Sequence, residues 1–181
     1  MFRPTDDLDP AATDIYVPKA VKYAWAPDTY LAFPPIYFHY EGASAARGTL
    51  SDRERSRGSG PLETQLMVSR DGENWTRRPR PVWLGTGAYP GGYDIHQTYM
   101  AQGLVRRDDE IWQYTYNAEE YHSSKGAKPN RHAIFRTVTR LDRFVAAQAP
   151  YDREATLVSR PLVFTGKKDR KSTRLNSSHR T

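Results

Sequence analysis

The chain has 181 residues, of which 38% are hydrophobic, a low fraction for a self-contained domain, and 12% are aromatic, which favours packing over disorder; it has no cysteine, which excludes disulfides and thiolate chemistry. No apolar run is long enough to span a bilayer and no secretory signal is visible, so no membrane partner is expected and localisation, secreted or periplasmic included, stays open. The net charge of +6 falls to 23 basic against 20 acidic residues once residues 169–181 are set aside, so no nucleic-acid partner is expected.

The first half of the chain predicts short strands joined by turns. β-Branched and aromatic residues are concentrated in four segments, 20–23, 30–33, 36–40 and 64–69. The Gly-, Ser- and Arg-rich residues 41–60 predict a long exposed loop. Asp71-Gly72 is a hairpin signal that gives Asp71 a structural role, and Trp75 begins a short outer strand.

The second half has the same character. After a Gly- and Pro-rich loop at 85–92, strands are predicted at 99–106, 110–117 and 133–138. The segment 110–117 alternates strictly, with its three aromatic residues on one face and the residues between them on the other. No segment shows a sustained helical period, so the chain is predicted to be all-β.

A weak internal repeat refines this prediction. Asp14-Ile15-Tyr16 and Asp94-Ile95-His96 open two similar stretches of strands and turns, 80 residues apart. Without the long loop each stretch approaches the length of a four-stranded propeller blade. A sandwich of irregular hairpins remains an alternative.

Four motifs carry a resemblance to known proteins: Thr13 to Tyr16, Met67 to Trp75, Glu110 to Tyr114 and Ser159 to Gly166. Together they resemble uncharacterised bacterial proteins related to the five-bladed β-propeller glycoside hydrolases of the invertase and arabinanase types, families 32 and 43. The resemblance implies an incomplete propeller over residues 1–168, with blade one at about 14–84, blade two at about 94–150 and an exit strand at 155–166. It also implies further N-terminal blades and a C-terminal β-sandwich of the same chain as partners.

The function implied is that of a carbohydrate-active, glycoside hydrolase-like protein, with carbohydrate as its ligand. The alternative is a non-catalytic propeller that binds glycans or proteins. The invertase-type phrases W-M-N-D-P and R-D-P are absent from the chain, so enzymatic activity stays open.

The C-terminal segment 169–181 is predicted to be a disordered artefact. It has one apolar side chain, Leu175, and its first eleven residues match the translation of a common sequencing adapter. It is therefore set aside from functional reasoning.

Asp14 and Asp94 are the candidate catalytic residues that the resemblance implies. Glycoside hydrolysis needs two carboxyl groups, and in glycosidase propellers carboxylates at the starts of the inner strands converge on the sugar. Glu63, just before a predicted strand, is a third candidate. The alternative for the two aspartates is that each caps a turn.

Candidate substrate-binding residues are aromatic side chains that could stack on a sugar and histidines that could bond its hydroxyls: Tyr16, Tyr93, Tyr99, Trp112, His39 and His96, with His122 a further histidine of this kind. Packing within a blade is the alternative for the aromatic residues. No histidine pair, His122 included, has a compact metal-ligand spacing, and no phosphate-binding loop or nucleophile elbow is present. Neither a metal nor a cofactor is expected.

Overall fold

A computed structural model describes residues 8–10, 13–39, 60–77, 80, 82–123, 131–156, 158 and 161. The chain divides into two compact units, residues 1–143 and 144–181. The described residues of the second unit contain neither strand nor helix. The predicted adapter-derived tail and the predicted loop at 41–60, except for Gly60, lie outside the described residues, as does most of the predicted exit strand.

The first unit is built from strands alone in its described residues, which confirms the all-β prediction. No described helix has the length and apolar character that crossing a membrane requires. The strands are β1 Thr13–Ile15, β2 Val21–Lys22, β3 Tyr30–Ala32, β4 Pro35–Phe38, β5 Leu62–Gln65, β6 Met67–Ser69, β7 Trp75–Thr76, β8 Val82–Leu84, β9 Gly87–Tyr89, β10 Tyr93–Ile95, β11 Gln97–Met100, β12 Val105–Arg107, β13 Glu110–Ala118 and β14 His132–Arg140.

The early strands form an antiparallel group in which each long strand is broken in two. β1 pairs with β4, and β4 pairs in turn with β5. In the same way β2 pairs with β3, and β3 pairs with β6. Phe33-Pro34 separates β3 from β4, because proline cannot donate to the ladder at that point. β2, β3, β6 and β7 make a four-stranded sheet, while β1, β4 and β5 belong to an eight-stranded one.

The later strands repeat this order. β11 and β12 both pair with the long β13, and β13 pairs with β14 over nine residue pairs. β9 and β10, which lie between the two groups in the sequence, form a separate two-stranded sheet. The predicted repeat therefore corresponds to a repeated strand order, and no sheet closes on itself within the described residues.

The two groups of strands meet where β5 lies beside β11. Gln97 and Leu62 form a parallel bridge at this point. Next to it the hydroxyls of Thr64 and Thr98 lie 3.0 Å apart, and the Thr64 hydroxyl donates to the Thr98 carbonyl at 2.9 Å. Neither threonine is exposed. Hydrogen bonding between buried polar side chains thus joins one group to the other.

β13 shows the predicted alternation, but its buried face is the polar one. Gln113, Thr115 and Asn117 are buried, whereas Tyr114 and Tyr116 are more than 40% exposed. The buried polar groups bond both within the strand and beyond it: the Asn117 amide donates to the Thr115 hydroxyl at 2.7 Å, and Gln113 Oε1 accepts from Trp83 Nε1 at 3.2 Å. The aromatic residues of this strand therefore line an outer face of the sheet.

The Asp71-Gly72 hairpin is confirmed as a turn with its own hydrogen bonds. The Asp71 carboxylate accepts the Asn74 side-chain amide at 2.8 Å and the backbone amides of Asn74 and Glu73. These bonds, with one from the Ser69 hydroxyl, hold the pKa of Asp71 well below its usual range. Gly72 has φ +80° here, a backbone conformation that favours glycine.

Two long-range polar contacts hold distant parts of the first unit together. The Tyr23 hydroxyl donates to Asp142 Oδ1 at 2.7 Å, across 119 positions of sequence. The Asp9 carboxylate accepts both Nη atoms of Arg77, at 2.7 and 2.5 Å, and Nη1 of Arg80 at 2.6 Å. Asp9 and Arg77 are both buried.

Candidate functional site

A cleft of about 490 Å³ lies where the ends of β1, β11 and β13 come together. Its lining is aromatic and polar: Tyr16, Gln97, Tyr99, Tyr116, Glu120, Tyr121, His122 and Ser123. Gln97 and Tyr99 lie two apart on β11, so their side chains share one face of that strand. Residues 120–123 follow the end of β13. The volume is within the range of small-molecule sites.

His122 is the centre of the polar contacts in this cleft. Its Nδ1 lies 3.1 Å from the Tyr99 hydroxyl and 3.2 Å from Gln97 Oε1. The Gln97 amide donates to the Glu120 carbonyl at 2.8 Å, which turns Oε1 of Gln97 towards the imidazole. Because Oε1 only accepts, the contact favours a proton on His122 Nδ1 and a lone pair on Nε2.

The backbone and the charge state of His122 are also held by its surroundings. Its amide and carbonyl both bond the backbone of Gly60, which ties the residue to the segment before β5. Burial, together with the nearby His39, lowers the pKa of His122 below its ordinary value of 6.5. The imidazole is therefore neutral at neutral pH.

Tyrosine rings pack around His122. The Tyr16 ring centroid lies 5.0 Å from that of His122 and 6.3 Å from that of Tyr99. Tyr37 meets the imidazole edge-on at 4.9 Å, and its hydroxyl donates to the His122 carbonyl at 3.2 Å. Burial, with the neighbouring tyrosines, raises the pKa of Tyr99, so its phenol stays protonated. The result is a fixed aromatic wall with polar atoms set into it.

Glu120 is the acidic residue of the cleft lining. Its Oε1 lies 2.9 Å from Nε2 of His132, whose Nδ1 faces the Tyr116 hydroxyl at 2.5 Å. Its Oε2 is buried and has no hydrogen-bond partner within the described part of the chain. An unsatisfied buried carboxylate oxygen is unfavourable by about 1–3 kcal/mol or more, which a donor from a bound molecule would offset.

Asp14 and His39, predicted separately as site residues, contact each other next to the cleft. His39 Nε2 and Asp14 Oδ2 are 2.8 Å apart; the histidine side chain is 1% exposed and the aspartate 50%. Asp14 is opposite Tyr37 in the β1–β4 register, and the rings of Tyr37 and His39 are 3.9 Å apart. The Tyr37 ring contacts both His39 and, at 4.9 Å, the imidazole of His122.

Asp94 and His96 occupy a different setting from Asp14. Asp94 lies on β10 with 74% of its side chain exposed, 3.4 Å from His96 Nε2. The strand that corresponds to β1 is β11, because β11 pairs with β13 as β1 pairs with β4. The sequence repeat therefore matches Asp14 with a residue that lies on the extra β9–β10 hairpin.

The remaining predicted residues divide between the cleft and other places. Tyr16 and Tyr99 line the cleft. Glu63 lies on β5 opposite Ile36, and burial raises its pKa despite a bond from Gln65 that lowers it.

Tyr93 and Trp112 make cation–π contacts away from the cleft. The Arg131 guanidinium lies 4.3 Å from the Tyr93 ring centroid, and Arg136 lies 4.0 Å from that of Trp112. Arg107 lies 5.5 Å from the same tryptophan. His122, which the sequence offered as a histidine that could bond hydroxyls, lines the cleft. The lining residues that the sequence did not indicate are Gln97, Tyr116, Glu120, Tyr121 and Ser123. The polar run after the long β13 is the signal that points to the last three.

The described residues hold no cluster of three or more histidine, cysteine, aspartate or glutamate side chains placed to bind a metal ion. Comparison with protein-family models, curated proteins and solved structures finds no match for this chain. Inference about function therefore depends on the cleft itself.

Proposed function

We propose that this chain is part of a carbohydrate-active β-propeller protein related to the glycoside hydrolases, and that the cleft around His122 binds a saccharide. One observation carries the proposal: tyrosine rings and fixed hydrogen-bonding atoms share a single cleft of about 490 Å³. Sugars present apolar C–H faces together with many hydroxyls. A site for them needs both ring surfaces and directed polar groups.

The polar groups supply hydrogen-bond acceptors for the hydroxyls of a ligand. The neutral His122 offers a lone pair at Nε2, and Glu120 offers a carboxylate oxygen without a partner in the described residues. The Tyr16 side chain, 42% exposed, presents its ring beside them. Such a mixture suits neutral, hydroxyl-rich ligands better than charged or purely apolar ones.

The propeller part of the proposal is supported by the repeated strand order. In the first group the consecutive strands β1 and β2 pair with β4 and β3, which pair with β5 and β6. In the second group β11 and β12 pair with β13, which pairs with β14. Two neighbouring blades would present the starts of their first strands, β1 and β11, to a common centre. Tyr16, Gln97 and Tyr99 belong to these strands or to the residue that follows them.

A non-catalytic saccharide-binding role is the second candidate, and one observation favours it. Glycoside hydrolysis uses two carboxyl groups. Glu120 is the one carboxylate among the described residues that line the cleft, and Asp14 is paired with His39 beside it. Hydrolysis by this chain would require Asp14, or an acid from another part of the protein, to act with Glu120.

Binding is tested by titrating the full chain with arabino-, xylo- and fructo-oligosaccharides in a calorimeter. We expect one or more of them to bind, and we expect Tyr16→Ala to weaken that binding about tenfold, the change that 1.4 kcal/mol represents. Tyr114→Ala is the matched control, because Tyr114 has a similar exposure, 44% against 42%, and does not line the cleft. Equal affinities of the two variants would reject the cleft as the site.

Catalysis is tested with the 4-nitrophenyl glycosides of the same sugars. Turnover that is lost in Glu120→Gln and Asp14→Asn while oligosaccharide binding persists supports a hydrolase. Binding by the parent chain without turnover supports the non-catalytic role. Asp94→Asn serves as a control, since Asp94 lies outside the cleft lining.

A further inference from the structure

We infer that Glu120, His132 and Tyr116 form a proton relay that makes the Tyr116 hydroxyl oxygen a general base at the edge of the cleft. The inference rests on the proposed function for its ligand, because the proton it removes belongs to a hydroxyl group or water held in the cleft. Tyr116 would be the group that touches the ligand. His132 and Glu120 would be positioning residues.

The strand register explains why the three side chains meet. His132 is opposite Ala118 in the β13–β14 ladder. Tyr116 precedes Ala118 by two residues and Glu120 follows it by two, and diagonal neighbours of this kind are within reach across a sheet. The small Ala118 side chain leaves room for an imidazole between the phenol and the carboxylate.

The contacts define the direction of the relay. Glu120 Oε1 lies 2.9 Å from His132 Nε2 and accepts its proton in a hydrogen bond, since a carboxylate cannot donate. In the neutral imidazole Nδ1 of His132 then carries the lone pair, and this atom faces the Tyr116 hydroxyl. The rings of Tyr116 and His132 meet edge-on, with their centroids 5.4 Å apart.

Tyr116 is suited to the first position of this relay. Burial, with the nearby Glu120, raises the pKa of Tyr116, so the phenol holds its proton at neutral pH and can give it to Nδ1. Its ring also lies 5.9 Å from that of Tyr99, which places it in the aromatic wall of the cleft. The arrangement of carboxylate, imidazole and hydroxyl follows the logic of an activated nucleophile and its base.

The proton transfer is balanced as follows. A ligand hydroxyl or water gives its proton to Tyr116 Oη while the phenol proton moves to His132 Nδ1. The oxygen that lost its proton keeps the electron pair and becomes the nucleophile. The relay gains one positive charge, as imidazolium, and the Glu120 carboxylate stabilises it.

The relay is tested on the free protein by NMR of the histidine side-chain nitrogens. We expect His132 to be protonated at Nε2 and unprotonated at Nδ1, with that tautomer in excess by about tenfold or more, as a hydrogen bond to a charged group implies. Glu120→Gln should reduce the excess several-fold. Tyr116→Phe should shift the Nδ1 resonance, because the hydrogen bond it accepts is lost.

Tyr114→Phe is the matched control, on the same strand and the same face, and should leave the His132 resonances unchanged. Mixed tautomers in the parent chain, or Nδ1 protonation, would overturn the inference. So would an unchanged His132 signal in both Glu120→Gln and Tyr116→Phe. These outcomes do not depend on a sugar, so they are separable from a failure of the oligosaccharide titrations.

Discussion

Removing the Asp9 carboxylate should destabilise the first unit strongly. The Asp9 and Arg77 side chains are 3% and 6% exposed, and two N–O contacts of 2.7 and 2.5 Å join them. Asp9→Ala leaves the Arg77 guanidinium buried without this partner. The cost of breaking a buried pair in this way is about 3–5 kcal/mol.

The comparison within the molecule is the exposed pair of Arg70 and Asp28. Its atoms are 3.2 Å apart and its side chains are 71% and 74% exposed. Exposed pairs contribute less than about 1 kcal/mol, so Asp28→Ala should change little. The two substitutions remove the same chemical group from opposite environments.

Urea unfolding measures the difference. With an m-value of about 2 kcal/mol/M, Asp9→Ala should lower the midpoint by about 1.5–2.5 M, and Asp28→Ala by less than about 0.5 M. Asp9→Asn, which keeps the shape of the side chain, gives an intermediate value if the alanine variant does not fold. Equal midpoint shifts for Asp9→Ala and Asp28→Ala would refute the reasoning from burial.

Three further substitutions test the buried polar groups. Thr64→Val should lower the unfolding free energy by about 0.5–1.5 kcal/mol, because the Thr98 carbonyl loses the Thr64 hydroxyl while the Thr98 hydroxyl keeps the Leu84 carbonyl as acceptor. Burial and the bond to Asp142 raise the pKa of Tyr23 to about 12 from an ordinary 10.0. The stability that the protonated Tyr23 contributes to folding is therefore fully present below pH 10 and is lost as the pH rises to 12. Tyr23→Phe should remove that alkaline loss. The pKa of His122 is lowered from 6.5, so the stability that the neutral imidazole contributes to folding is fully present above pH 6.5 and falls as the pH drops below it. His122→Gln should make this acid loss smaller. Urea midpoints at stepped pH measure all three.

One control variant and two contradicting outcomes accompany these substitutions. Thr76→Val, on the exposed end of β7, should leave the midpoint nearly unchanged, and a loss equal to that of Thr64→Val would contradict the role of the buried pair. An alkaline loss that persists in Tyr23→Phe would exclude Tyr23 as its source. An acid slope as steep in His122→Gln as in the parent would do the same for His122.

Local features of the fold follow from the sequence because they depend on neighbouring residues. The alternation of β13 and the Asp71 turn are of this kind, and both appear in the structure. The sequence could not say which face of β13 is buried. Gln113 and Asn117 look like surface residues, and their burial depends on partners such as Trp83, which lies 30 positions from Gln113.

The candidate site was less predictable from the sequence, because its residues are brought together by the register in which the strands pair. Glu120 and His132 are brought together by the β13–β14 ladder, which no short-range pattern specifies. Asp94 resembles Asp14 in its local sequence, yet the inserted β9–β10 hairpin gives it another strand and an exposed position. A motif comparison cannot separate these cases until the pairing of strands is known.

The bond between Tyr23 and Asp142 also bears on how the first unit folds. It joins residues 119 positions apart, so it forms only after nearly the whole unit has been synthesised. Closing so long a loop is entropically unfavourable before other contacts exist, and topologies rich in such distant pairings fold slowly. The contact can therefore form only once the residues after β14 are present, and incomplete chains emerging from the ribosome would lack it.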